Sequence, residues 1–233
     1  MNNCMDFAGI YVFGYDRPFN LAENLLPLQS FRDFSDKDWP IYLFYAVAGE
    51  VEEAVKKFGN VIPIQIKPML SINDYDNFMM RECFHLVKHE LTLTMHQDGY
   101  LLKKGWEEFT DGYDYLGASW IRHIPNFDFH YKENNFSKFE GYKNIRTTTT
   151  VGNGGFCFRK TSKMLEVENS VNWCSRVGGW LPDDVFYSFY GFGQGIFKPV
   201  SVGVADLWSQ EPFCGRDTYG FHGVNTVRHC KSP

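Results

Sequence analysis

Residues 39–67 read WPIYLFYAVAGEVEEAVKKFGNVIPIQIK. The run 39–46 is apolar without alternation, the pattern of a strand covered on both faces. Residues 50–58 (EVEEAVKKF) set Glu and Lys four apart on a helical surface, and Gly59 ends that pattern. Residues 61–67 (VIPIQIK) return to β-branched side chains, and Pro63 points to an edge strand. Strand, helix and strand at this spacing make a crossover unit, which commits the chain to parallel sheet.

The same alternation extends in both directions. Residues 7–14 (FAGIYVFG) predict a first strand ending at Gly14, and residues 15–18 (YDRP) a loop. Asn20 is placed to cap a helix running to Leu28. Residues 73–89, with Phe78, Met79, Phe84, Leu86 and Val87 apolar, predict one helix, and 91–95 (LTLTM) a strand. Beyond residue 100 the pattern loosens. There is a strand near 115–120, an aromatic and Asn-rich insertion at 124–143, a Gly-rich segment at Val151, and helices at 162–170 and 183–191. The expectation is an α/β fold in a single domain over residues 1–233, with a mainly parallel central sheet flanked by helices and a more irregular C-terminal half. Such sheets bind ligands beyond the carboxyl ends of their strands.

Composition narrows the function classes. The chain has 233 residues, 44% apolar and 22% charged, with a formal charge of −5, which excludes a disordered chain and disfavours a general nucleic-acid binder. Its longest apolar runs, such as 40–49, fall short of the ~20 residues of a membrane span, so no transmembrane segment is expected. The start MNNCMDFAG has neither a basic nor an apolar leader region, and the expected location is cytoplasmic. Cys4, Cys83, Cys157, Cys174, Cys214 and Cys230 form no C-x-x-C pair and read as reduced thiols, with Cys157 in packing. Neither G-x-G-x-x-G nor a P-loop is present. Aromatic residues reach 18%, which suits a Phe-rich core or rings lining a ligand pocket.

Four segments carry candidate chemistry. His96-Gln97-Asp98-Gly99 follows the strand at 91–95, where Asp98 is either half of a turn or a cation ligand at the mouth of the crevice. In Val151-Gly152-Asn153-Gly154-Gly155-Phe156 the glycines serve a tight turn or let a ligand approach the backbone closely, with the Asn153 amide hydrogen bonding to it. Pro182-Asp183-Asp184-Val185 puts two acids at a helix start, one more than capping needs, so one of them is a candidate general base. His222, between Phe221 and Gly223, is a structural histidine or a further ligand for a cation near Asp98.

Together with Tyr113-Asp114-Tyr115-Leu116-Gly117-Ala118-Ser119-Trp120, these segments resemble the GT-A-fold glycosyltransferases. Within that group they are most similar to a bacterial and viral set long labelled a domain of unknown function. Its pattern runs Q-x-D, Y-D-Y-[IL]-G-A-x-W, V-G-N-G-G-F, P-[ED]-D-V-[FW] and G-x-H, in the order found between about residues 85 and 223. The resemblance implies transfer of a hexose or pentose from a nucleotide-sugar donor to a hydroxyl on a glycan, lipid-linked or protein acceptor. Residues 1–100 would form the nucleotide half and 101–233 the acceptor and catalytic half. Asp98 would match the last acid of the D-x-D motif and His222 the C-terminal metal ligand, holding Mn²⁺ or Mg²⁺. Asp184, with Asp183 beside it, would match the base of inverting members. Gly154 and Gly155 would form the loop near donor and acceptor.

One departure stands out: where the D-x-D motif has its first acid, this chain has His96, a nitrogen donor that favours Mn²⁺ over Mg²⁺. Tyr15, Arg17, Gln97 and Asn153 are further donor-site candidates, Arg17 for a phosphate, and Trp120, Trp180 and Tyr219 are candidates for stacking on sugars. Two other readings stay open: a metal-dependent phosphoesterase using the same acids, and a carbohydrate- or nucleotide-sugar-binding domain with little or no catalysis.

Overall fold

The computed structural model describes residues 6–119, 151–171, 182–210 and 217–223. The first half alternates as β1 (Phe7–Phe19), α1 (Leu25–Phe34), β2 (Ile41–Gly49), α2 (Val51–Phe58), β3 (Val61–Gln65), α3 (Ile72–Arg81), α4 (Cys83–Leu86) and β4 (Leu91–Met95). The second half holds β5 (Gly99–Leu101), α5 (Trp106–Phe109), β6 (Tyr115–Leu116), β7 (Phe156–Lys160) and α6 (Thr161–Ser170). It ends with α7 (Asp183–Tyr187), a π-helical turn (Ser188–Phe192), α8 (Val202–Trp208), β8 (Ser209–Gln210) and β9 (Gly220–His222).

The main sheet has six strands in the order β3-β2-β1-β4-β7-β6. β3, β2, β1 and β4 are parallel, while β7 runs antiparallel to both β4 and β6. A small sheet, β5-β9-β8, lies apart from it. The expected mainly parallel α/β sheet is therefore present, and β3 with Pro63 is an edge strand. Residues on both faces of β1 are buried, including Phe7, Ala8, Ile10 and Tyr11, because helices cover the two sides. The Phe7 ring meets Trp106 edge-on at 5.0 Å and Trp39 at 5.5 Å. A fully buried aromatic ring of this kind contributes about 1.5–3 kcal/mol by leaving water.

Several boundaries differ from expectation. β1 does not stop at Gly14 but continues to Phe19, since after a register shift Pro18 and Phe19 pair with Val47 and Gly49 and the Phe19 ring is buried. α1 starts at Leu25 rather than at Asn20. The Asn20 Oδ1 accepts from the Glu23 N–H at 3.0 Å and closes a turn ahead of the helix, and Pro27 sits in the first turn, where no N–H is needed. The single helix expected over 73–89 is broken at Glu82, whose backbone leaves helical geometry (φ −128°, ψ −45°). The strand at 115–120 is short, followed by an isolated bridge from Ser119 to Val151. β5, α5, α8, β8 and β9 were not anticipated. The insertion at 124–143 lies outside the described residues, as do Trp120, Trp180, Cys4, Cys174, Cys214 and Cys230. Cys83 and Cys157 are buried free thiols, and burial pushes the Cys157 thiol up to about 11. Among the described residues no helix is long and apolar enough to cross a membrane.

Gly117 shows how tightly the second half is assembled, because a Cβ there would lie 1.7 Å from the Gly152 carbonyl oxygen. Gly193, in contrast, has helical angles and open space around it. Gly117→Ala is expected to lose ~1–3 kcal/mol of stability through overpacking, and Gly193→Ala to be neutral or to gain about 0.5 kcal/mol from a stiffer unfolded chain. Urea unfolding midpoints of the two variants check both signs.

Candidate functional site

β4 ends at Met95, so His96 and Asp98 emerge at the carboxyl end of a central parallel strand. A cavity of about 820 Å³ opens there. Its floor is β1 from Tyr11 to Tyr15, and its walls include Glu23 and Leu26 on one side and Met69 to Ile72 with Tyr75 on the other. His96, Gln97, Asp98 and Tyr100 close the end. Tyr15, Leu26, Leu70 and Ile72, each more than half exposed, give its mouth an apolar collar.

His222 reaches this end through β9. β5 and β9 are antiparallel with Gly99 opposite His222, which sets Asp98 and His222 side by side. The Gly223 N–H donates to the Asp98 carbonyl at 3.0 Å, and His222 Nε2 lies 3.1 Å from Asp98 Oδ1. The His222 hydrogen bond holds the Asp98 carboxyl below its usual range, against the opposing effect of burial. His96, Asp98 and His222 each offer a ligand atom, and these atoms lie within 4.8 Å of one another. Burial, then the neighbouring His222, lowers His96 to about 4, so its imidazole is uncharged near neutral pH. The Tyr75 hydroxyl bonds His96 Nε2 and fixes the ring. Two imidazoles and one carboxylate suit a borderline divalent cation such as Mn²⁺.

The Gly-rich segment forms the other wall of this cluster. The His96 N–H donates to the Gly155 carbonyl at 2.8 Å. A Cβ on Gly155 would fall 2.1 Å from the His222 ring, and one on Gly99 2.4 Å from the Gly155 oxygen. Asn153 has a left-handed backbone (φ 74°), its Oδ1 accepts from the Gly155 N–H at 2.9 Å, and its Nδ2 is buried without a partner among the described residues. The Gly154 N–H donates to Asp184 Oδ2 at 3.3 Å. Asp184, Gly154, Gly155, His222 and Asp98 thus form a continuous chain of contacts.

The two aspartates separate in role. Asp183 is buried, with its Oδ2 2.5 Å from Arg159 Nη2, and its backbone N–H donates to Asp76 Oδ1 at 3.1 Å. Asp184 is only half-buried. Gln97 lines the cavity and donates from Nε2 to the Glu23 carbonyl at 3.3 Å. Arg17 stands beside the cavity, held by three residues that line it. It pairs with Glu23 at 2.8 Å and lies over the Phe13 and Tyr15 rings, and it is not among the residues that line the cavity. Tyr219 packs against Phe109 (4.6 Å) and Trp208 (6.3 Å) with Lys103 over its ring, also away from the cavity lining. Sequence reasoning missed Tyr75, Glu23, Asp76 and Arg159. None of the four carried a clear signal, and Arg159, followed by Lys160 at the end of the run 156–160, has the pattern of a surface residue.

The same fold occurs in solved glycosyltransferases. Mouse xyloside xylosyltransferase 1, in its apo form, superposes with a TM-score of 0.56 at 12% identity, covering 98% of this chain and 99% of that one. Core-mannan synthase A from Aspergillus fumigatus, in its Mn/GDP form, gives 0.57 at 9% identity over 82% of this chain and 70% of that one. At these identities the likeness is one of fold, the GT-A-like α/β architecture. No curated protein matches by sequence. A family model does match, over residues 59–212, a span that includes Asp98, the Gly-rich segment and both aspartates. The chain belongs to that family, described as protein of unknown function (DUF5672).

Proposed function

We propose that this protein is a metal-assisted, inverting glycosyltransferase that moves a sugar from a nucleotide-sugar donor to an acceptor hydroxyl. The observation that carries the reading is the convergence of His96, Asp98 and His222 at the end of the 820 Å³ cavity, tied through Gly154 and Gly155 to Asp184. The donor nucleotide lies in the cavity over Tyr11 to Tyr15, with its diphosphate toward Asp98. Asp98, His222 and His96 are the residues that would hold a divalent cation, and such an ion supplies charge neutralisation for the leaving diphosphate. Among the described residues that line the cavity there is no Lys or Arg, so a cation held there would offset the charge of a polyanionic donor.

Asp184 acts as general base. The acceptor hydroxyl gives its proton to the Asp184 carboxylate as its oxygen bonds to the anomeric carbon. The bond from that carbon to the diphosphate breaks, and its electron pair leaves with the nucleotide. Attack from the face opposite the leaving group inverts the centre. The Gly154 N–H orients the Asp184 carboxylate, and the glycines let donor and acceptor approach the backbone.

Asp184→Asn is expected to lower transfer by about 100-fold or more while Mn²⁺ and nucleoside diphosphate binding, read by calorimetry, stay near wild type. Transfer at the wild-type rate by this variant would remove Asp184 as base. Asp98→Asn is expected to weaken Mn²⁺ binding, followed by the electron paramagnetic resonance of the free ion, by about tenfold or more.

The folded metal-free protein keeps His96 uncharged down to about pH 4, whereas the unfolded chain protonates it near 6.5. The unfolded state therefore binds more protons between those values, and stability falls as pH drops through that window. The lowered Asp98 acts in the same direction, since its contribution is also lost as the carboxylate is protonated. Urea midpoints measured at pH 7 and pH 4.5 should drop steeply for the wild type and less for His96→Asn.

A further inference from the structure

Arg159 is fully buried near the end of β7, between Thr92 on β4 and Tyr115 on β6. Its guanidinium lies among the rings of Tyr187, Tyr115 and Phe84, at 5.4, 5.7 and 5.8 Å from their centroids. Nη2 bonds Asp183 Oδ2 at 2.5 Å and Nε bonds the Cys157 sulfur at 2.9 Å, while Nη1 is buried with no partner among the described residues. Burial works to discharge the group, and the Asp183 carboxylate beside it keeps it charged. Stability alone does not account for such a choice, because well-packed apolar side chains in place of a buried ion pair are often as stable or more so.

What the pair does touch is the Gly-rich loop. A Cβ on Gly154 would lie 2.7 Å from Asp183 Oδ1 and 3.4 Å from Arg159 Nη2, so the ion pair sits directly against this residue. The Cys157 thiol, which accepts from Arg159, donates to the Gly154 carbonyl at 3.5 Å. The residue after Asp183 is Asp184, which takes the Gly154 N–H on its Oδ2. Gly154 is thus held at its N–H, its α-carbon and its carbonyl by groups that all lead back to Arg159.

We propose that Arg159 is a positioning residue: through Asp183 it fixes the start of α7, and through Cys157 the Gly154 peptide, so that the Asp184 carboxylate stays on the Gly154 N–H in the orientation that accepts a proton. Its consequence for turnover rests on the transferase reading above, whereas its effect on Gly154 does not. A fork is required, since a lysine ammonium is a single point of charge and does not reach the carboxylate and the sulfur in fixed directions.

The test is the double variant Arg159→Met with Asp183→Leu, which replaces the pair by apolar side chains of similar bulk and should keep the fold, with Tm within about 4 °C of wild type. Amide hydrogen exchange is read at single-residue resolution, alongside the hydrolysis of a panel of UDP- and GDP-sugars in the presence of Mn²⁺. Exchange at Gly154 should rise by about tenfold or more while Phe158, inside the β4–β7 ladder, stays within about twofold. The kcat for donor hydrolysis should fall about 100-fold with KM changed less than about threefold. Asp183→Asn is the milder companion should the double variant not fold, with smaller changes in the same directions. Wild-type exchange at Gly154 in a folded variant overturns the proposal. A wild-type protein that hydrolyses none of the donors overturns the transferase reading instead, and the exchange result then decides the role of Arg159 alone.

Discussion

Two stretches of backbone and one imidazole ring approach one another so closely that neither glycine between them could carry a side chain. Gly99 lies against the Gly155 carbonyl, and Gly155 against the His222 ring. This contact joins the end of β4, the loop before β7 and the β9 strand, which come from widely separated parts of the chain. The regular sheet supplies the platform, because β4 and β7 are paired up to Met95 and Phe156, immediately before and after the contact. His96, Asp98 and His222 are attached to these three segments, and Tyr75 and Asp184 are bonded to them. The arrangement tolerates almost no slack, since closely packed interiors do not deform continuously.

Electrostatics divides the site into two centres with different jobs. At one, Asp98 is kept ionised by His222, and His96 is kept uncharged by burial. Both are in the protonation state in which a lone pair is available. At the other, a permanently charged guanidinium and an aspartate are sealed from water among aromatic rings. The first centre is suited to exchange partners, the second to staying as it is. Neighbouring aspartates end up on opposite sides of this division because residues at the start of a helix point in different directions: Asp183 turns inward to Arg159 and Asp184 toward the Gly154 amide.

The sheet was legible because its physics is local. Doubly covered strands must be continuously apolar, and residues 7–95 carry that signal in alternation with helical runs. The strand after Gly14, the start of α1 and the break at Glu82 were not legible, since each depends on a distant pairing or a turn that composition does not mark. The cation cluster became visible only through the order of its motifs. The pairing of β5 with β9 covers three positions on each strand, far apart in the chain, and so short a ladder leaves no periodicity to read. Arg159 was hidden for a related reason, as a basic residue near the end of a strand ordinarily marks the surface. Trp120 and Trp180, expected to stack on sugars, lie outside the described residues.

The position of His222 also bears on how the protein matures. A ribosome makes the chain from the amino end, and the domain can begin to collapse around β1, β2 and β4 long before β9 exists. Until β9 emerges and pairs with β5, Asp98 faces the solvent without its imidazole partner. A nascent molecule therefore has the walls of its cavity well before His222 reaches Asp98, so that closure of the His96, Asp98 and His222 cluster belongs to the final stage of assembly rather than to its nucleation.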